Sequence, residues 1–344
     1  MSASRYHYLR PGIEPSLRRG TLFQEAETQA TRFSYAEAII AVGQANPDAV
    51  VLNADVSKGI RTCDFAEVFP DRSYNLGIAE QNMVAAAAGM ATTGVIPFVS
   101  TYAVFAALRA LDQIRNSICY PRLNVKIAAS HSGITAAPDG VTHQGQEDLA
   151  IMRALPHMTV IAAADRTTTH MATHAAAALE GPVYLSLSRD PVPVLYSDDY
   201  PFEIGRAVTV REGVDVALIA NRDMVAQALL AAEALAADGI DARVIDCHTL
   251  KPLDAEAILA AANETGAIVT AENSTYYGGL GSAVAELLVE HAPVPMRRVG
   301  IADTFAESGP YLDLIDKYGL SARHIVTAAR EVLQRKARAQ KAVF

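Results

Sequence analysis

The sequence predicts an α/β protein of two domains, a parallel-sheet domain followed by a smaller α/β domain. From Arg32 onward, short β-branched runs alternate with longer Ala- and Leu-rich stretches, the pattern of strand and crossover helix. A proline-rich, aperiodic stretch at 191–205 interrupts that alternation, which then restarts. With 344 residues the chain is long enough for two cores, at about 150 residues per domain.

Residues 1–30 show no clear element and read as an N-terminal arm, ordered against a partner. In the first domain, 31–190, candidate strands are VVLNADV (50–56), VIPFVST (95–101), VKIAAS (125–130), TVIAAAD (159–165) and VYLSLSR (183–189). Their near-continuous apolar runs suit strands covered on both faces. AEAIIAVGQAN, EQNMVAAAAGMA, AVFAALRALDQIRNSI and RTTTHMATHAAAAL lie between them, each long enough for a helix. After the linker at 191–205, the second domain, 206–338, offers DVALIA (215–220), ARVIDC (242–247), AIVTAEN (267–273) and MRRVGI (296–301) as strands. MVAQALLAAEALAA, AEAILAAAN and a basic terminal segment supply its helices. No repeat of fixed period points to a solenoid.

Composition narrows the function. The chain is 51% hydrophobic and 19% charged, and 29 Lys and Arg against 38 Asp and Glu leave a net charge of −9. That balance gives no general attraction to nucleic acid or anionic membranes, so an anionic substrate must be held by a few placed cations. Cys63, Cys119 and Cys247 form no Cys-x-x-Cys, which fits a reducing compartment. No stretch approaches a spanning helix, and the opening residues lack a signal core, so a cytoplasmic protein is expected.

A dehydrogenase is disfavoured because SKGIRT, after the first long strand, contains no Gly-x-Gly-x-x-Gly. Gly278, Gly279 and Gly281 form the nearest glycine cluster, and a tight strand-to-helix turn explains them equally well. His170 and His174 have the spacing of two metal ligands, but no third ligand stands nearby and a solvated helix face accounts for them.

More informative is SHSGITAAPDGVTHQGQEDLA, which puts His131, Asp139 and His143 in one loop after an apolar strand. Ligand sites of parallel sheets lie at the carboxyl ends of strands, where such residues can grip hydroxyls, donate to a phosphate or shuttle protons. Arg189 ends another strand, where a guanidinium can bind phosphate with two hydrogen bonds or form a local salt bridge. Glu80 opens the helix EQNMVAAAAGMA, a position that the helix macrodipole by itself favours for an acid.

Taken together, YNLGIAEQNMVAAAAGMATTGVIPFVSTY, the Asp-Gly-Val-Thr-His-Gln loop and LSLSRDPVP resemble the thiamine-diphosphate enzymes of the transketolase family. The resemblance spans roughly 30–335 and covers their pyrimidine-binding and C-terminal domains. It implies ketol transfer to an aldose from a ketose phosphate or similar anionic ketose. Glu80 and His143 are the implied catalytic residues, Glu80 by hydrogen-bonding the cofactor's pyrimidine nitrogen. The resemblance assigns Tyr102 and Phe105 to the aromatic wall of the cofactor pocket, and Asp55 to its vicinity. His131, Asp139, His143, Arg189 and Arg32 would hold the substrate, with Ser57 beside them.

The family's diphosphate-binding domain carries a Gly-Asp-Gly and a later Asn that hold Mg²⁺ and diphosphate. The nearest strings here, Pro138-Asp139-Gly140 and Ala237-Asp238-Gly239, lack that Asn. The chain therefore resembles the C-terminal half of a split transketolase. This implies an N-terminal partner subunit that holds the metal and diphosphate, in an α2β2 assembly, with no metal ligand on this chain. A 2-oxoacid dehydrogenase E1 β subunit and a deoxyxylulose-phosphate-synthase-like enzyme are the alternatives. Three positions depart from the family pattern: Gly59 for a serine, Leu108 for an aromatic and Asn273 for a histidine.

Overall fold

The computed structural model describes residues 5–10 and 26–341. Along the first half run β1 (Thr28–Gln29), α1 (Thr31–Ala45), β2 (Ala49–Asn53), α2 (Ser57–Ile60), α3 (Thr62–Val68), β3 (Ser73–Asn75), α4 (Glu80–Ala91) and β4 (Ile96–Tyr102). Two π-helical segments, Phe105–Arg109 and Ile114–Cys119, flank the short α5 (Leu111–Gln113). β5 (Lys126–Ser130), α6 (Asp148–Ala154), β6 (Thr159–Ile161), α7 (Arg166–Ala178), β7 (Val183–Ser186) and β8 (Val192–Pro193) follow. The second half contains β9 (Val208–Arg211), β10 (Val216–Ala220), α8 (Met224–Ala237), β11 (Ala242–Asp246), β12 (Thr249–Lys251), α9 (Ala255–Thr265), β13 (Ile268–Thr275), α10 (Leu280–His291), β14 (Met296–Ile301), α11 (Tyr311–Lys317) and α12 (Ala322–Lys341).

The first sheet has the order β12-β6-β7-β5-β4-β2-β3 and is parallel except for β12, which pairs antiparallel with β6. Among its central strands β2, β5 and β7 are buried along their whole length, as their apolar runs predict, with Val51 opposite Phe98 and Ala128 opposite Leu185. On one face α1 and α7 cover it through Tyr35, Ile39, Ala172 and Ala176, and on the other α4 buries Met83, Val84 and Ala87. α4 is alanine-rich and free of a β-branched run, so its helical form costs little side-chain entropy. The second sheet, β14-β13-β10-β11-β9, is parallel save for β9, and α8 and α12 cover it through Leu229, Val326 and Val332.

Where a single helix is predicted over 103–118, the structure opens both ends into π-helical turns. Such widening redirects side chains and recurs at functional sites. It also leaves Leu108 and Arg109 outward while Ala106 and Ala107 stay buried.

The two halves interlock. β12, from the second half of the chain, extends the edge of the first sheet. The segment 191–205 is packed, with Val192, Val194, Leu195, Tyr196 and Tyr200 buried. Tyr196 and Tyr200 donate to Asp246 at 3.0 and 2.9 Å, and burial pushes that carboxyl up to about 7. In the expected N-terminal arm, residues 5–10 lie against this chain's own second half, through a Tyr6–Arg211 bridge and a hydrogen bond from His7 N to Val210 O. The arm's end, 26–30, is not the elementless stretch expected, because it carries β1, which pairs antiparallel with β8, while 1–4 and 11–25 lie outside the described residues.

Candidate active site

The candidate site follows from the parallel sheet, because the side chains singled out in the sequence leave neighbouring strands at their carboxyl ends. Asp55 and Ser57 follow β2, Glu80 follows β3, Tyr102 ends β4, His131 follows β5 and Arg189 follows β7. The loop 131–147 then folds back over β4. Gly133 N donates to Gly145 O at 2.8 Å, and Gly145 lies so near Ala103 that an added Cβ would come within 2.6 Å of its Cβ. Only glycine permits that approach, which brings His131 and His143 onto the aromatic wall.

The Tyr102 ring stacks on His131 at 3.8 Å between centroids and on Phe105 at 5.6 Å, and His143 meets both aromatic rings edge-on, at 5.9 and 5.5 Å. At the far end of this wall, Glu80 is 1% exposed in the first turn of α4. Arg109 donates to both of its carboxylate oxygens, at 3.0 and 3.1 Å, and its guanidinium also lies 4.1 Å over the Phe105 ring. Arg109 is half exposed. A buried carboxylate beside ring faces can hold a flat, nitrogen-bearing heterocycle, accepting from a protonated ring nitrogen.

Beyond Tyr102 the lining turns charged. Arg189 pairs with Asp139 at 3.2 Å and with Asp190 at 2.7 Å, and Arg32 donates to Gly59 O at 2.5 Å. His131 is buried, contacts Ser130 Oγ at 2.8 Å and lies 3.5 Å from Asp139. Burial, with Arg32, Arg189 and His143 nearby, pushes its pKa down to about 2, so near neutral pH it offers a neutral N–H and no positive charge. Formal positive charge at this end therefore comes from Arg32 and Arg189. Among the described residues, no hydrogen bond or ion pair joins Asp55 to this group; it pairs with Asn75 at 3.0 Å. Ser57 is half-buried at the start of α2.

Sequence reasoning missed Arg109 and Arg222, and it marked Asn273 only as a departure from the family pattern. Arg109 has no motif, and only the folded chain sets it against Glu80, 29 positions away. Arg222 and Asn273, from the second half, anchor the histidine loop from beneath. Asn273 Oδ1 accepts from Ile134 N at 3.0 Å, its Nδ2 donates to Asp223 at 2.9 Å, and its carbonyl accepts from Arg222 at 2.5 Å. Arg222 also donates to Ser186 Oγ at 2.8 Å and lies 3.8 Å from Asp148. Asn273 is thus an interdomain tie. Leu108, where the family's third aromatic would fall, is exposed.

At the glycine cluster, Glu272 accepts from Leu280 N and Gly281 N, both at 2.8 Å, so an internal carboxylate fills the anion position at the start of α10. His170 and His174 lie on α7 with ring centroids 4.7 Å apart.

Comparison with known proteins places these residues in a family. The transketolase pyrimidine-binding domain model matches residues 27–194, and the transketolase C-terminal domain model matches 205–325. The 6-deoxy-6-sulfo-D-fructose transketolase subunit SqwH of Clostridium sp. (strain MSTE9) is 45% identical over 89% of this chain and 95% of its own length. A putative transketolase C-terminal section from Methanocaldococcus jannaschii is 41% identical, over 88% of this chain and 96% of its own. A solved structure described as a split gene transketolase, inactive beta4 tetramer, superposes with a TM-score of 0.83 at 50% identity, covering 90% of this chain and all of that one.

Proposed function

This chain belongs to the transketolase family, and we propose that it is the C-terminal subunit of a two-chain transketolase, transferring a two-carbon ketol unit from an anionic ketose to an aldose. The observation that carries the reading is Glu80, a buried carboxylate set at one end of an aromatic wall whose other end holds two arginines.

Thiamine diphosphate would supply the nucleophilic carbon and the electron sink of ketol transfer. The residues present fit it. Glu80 would accept a hydrogen bond from the pyrimidine ring, taking the place that Arg109 occupies here, while Tyr102 and Phe105 would wall the ring and exclude water. His143 stands over both rings and would move a proton at the sugar hydroxyls, with Asp139 fixing those hydroxyls. Arg32 and Arg189 would hold the anionic end, and neutral His131 would add one N–H donor. Asp55 and Ser57 would border the cofactor and the anionic end respectively.

We assign Mg²⁺ and diphosphate binding to an N-terminal partner subunit in an α2β2 assembly, and place the enzyme in the cytoplasm. The partner would cover the site mouth, where Phe33, Tyr74, Ile78 and Leu108 are exposed. That a solved relative of one chain type is described as inactive supports this need. We divide the chain into an arm (1–30), a pyrimidine-binding domain (31–190), a linker (191–205) and a C-terminal domain (206–338).

The test is reconstitution. Ketol transfer from a ketose phosphate should require this chain, a partner bearing the diphosphate-binding domain, thiamine diphosphate and Mg²⁺ together. Robust turnover by the pure chain alone would overturn the reading.

A further inference from the structure

Gly59 and Tyr102 face each other across the anionic end of the site. A Cβ placed on Gly59 would sit well inside van der Waals contact distance of Tyr102 Oη and 3.0 Å from its Cε1 and Cζ. The phenol hydroxyl therefore occupies the volume that a side chain at position 59 would need. Arg32 binds the carbonyl of the same Gly59, and the phenol feels the charges of Arg32, Arg189 and Asp139. Among the described residues the Tyr102 hydroxyl makes no hydrogen bond, and Arg32 Nε is buried without a partner. Two unused donors thus stand at the anionic end, while Arg189 is already shared between Asp139 and Asp190.

We propose that Gly59 and Tyr102 form one specificity-determining unit: Gly59 admits the Tyr102 hydroxyl, and that hydroxyl donates to the anionic group of the substrate. One side chain then serves both ends of the site. Its ring walls the cofactor, and its oxygen reads the substrate's charged tail. The need for such a donor follows from the charge balance, because two aspartates offset the two arginines and His131 is neutral. A neutral O–H adds a directional bond to an anion without demanding a further countercharge.

The inference rests on the ketol-transfer reading, and its test separates the two. The complex reconstituted with the diphosphate-domain subunit is assayed with a ketose phosphate and with the same ketose lacking the phosphate. In Tyr102→Phe, kcat/KM for the phosphorylated donor should fall roughly tenfold further than for the neutral donor, the worth of one hydrogen bond to a charged group. Gly59→Ser alone should lose both that discrimination and cofactor affinity, because the serine and the phenol compete for one volume. Combining Gly59→Ser with Tyr102→Phe should recover cofactor affinity and most of the discrimination, since the serine hydroxyl enters the vacated space. Equal losses for both donors in Tyr102→Phe, or a double variant no better than Gly59→Ser, would overturn the proposal. Wild-type complex that transfers from neither donor defeats the ketol-transfer reading instead. Inorganic sulfate, titrated by calorimetry, then decides: binding weakened roughly tenfold by Tyr102→Phe supports the hydroxyl's role, and unchanged binding overturns it.

Discussion

Two of the carboxylate–arginine pairs in this molecule are built to opposite ends. At the site mouth, Glu80 (1% exposed) is held by Arg109, whose side chain is 48% exposed and also lies over the Phe105 ring. Beneath the histidine loop, Asp148 (0% exposed) faces Arg222 (4% exposed), which is also tied to Ser186 and Asn273. Asp148 itself accepts from Tyr184 and Ser186 at 2.9 and 3.1 Å. Under the proposed function the first pair would exchange its cation for a ligand, because water and the Phe105 face can receive Arg109. The second cannot, since either partner would be left charged in a dry seam. The same residue types thus make a replaceable contact in one region and a fixed joint in the other, and exposure of the arginine decides which.

The sharpest break is expected at Glu80. In the reconstituted complex, Glu80→Gln should lower kcat by about 10²- to 10⁴-fold, the usual worth of a positioned acid–base group, with the chain's unfolding midpoint nearly unmoved. Loss of fold alongside loss of turnover would mean that Glu80 belongs with the fixed joint.

Arg222→Met reverses that profile. Leaving Asp148 buried without its cation should cost about 3–5 kcal/mol of stability, read by urea unfolding of the full chain, and a loss below about 1 kcal/mol would erase the contrast.

A smaller and graded effect is expected at His131. Its pKa is about 2 in the folded chain against 6.5 for an ordinary histidine. Below pH 6.5 the unfolded chain takes up a proton that the folded chain refuses, so stability falls as pH falls, by about 1.4 kcal/mol per pH unit. His131→Asn should remove that share, seen as a shallower pH dependence of unfolding than wild type between pH 6.5 and 4.5. Parallel curves would show that His131 takes up its proton in the folded state.

The smallest change in stability is expected from Arg109→Ala, within about 1 kcal/mol, because a half-exposed ion pair is screened by water and salt. A loss as large as that of Arg222→Met would place Arg109 in the scaffold.

Much of this was legible in the residues. Uninterrupted apolar runs marked the central strands because both faces of the sheet are covered, and EQNMVAAAAGMA and MRRVGI became α4 and β14 with the bounds their patterns suggest. The histidine loop stood out because polar residues and glycine follow directly on a buried strand. Other features left no local mark. The π-helical opening near Phe105 needs side-chain packing that periodicity does not encode, and the burial of 191–205 depends on Asp165 and Asp246 from distant elements. Asn273, a departure from the family pattern in the sequence, acquires its reason only where β13 meets the histidine loop.

The chain by itself determined the alternating architecture, the family and the candidate residues proposed to carry the chemistry, because those depend on local pattern and residue type. Tertiary structure alone decided that Arg109 covers Glu80, that Arg222 and Asn273 brace the histidine loop, and that the Tyr102 hydroxyl fills the space beside Gly59. Each of these is a contact between residues tens of positions apart, set by how the sheet's strand ends converge and how the second half of the chain closes beneath them.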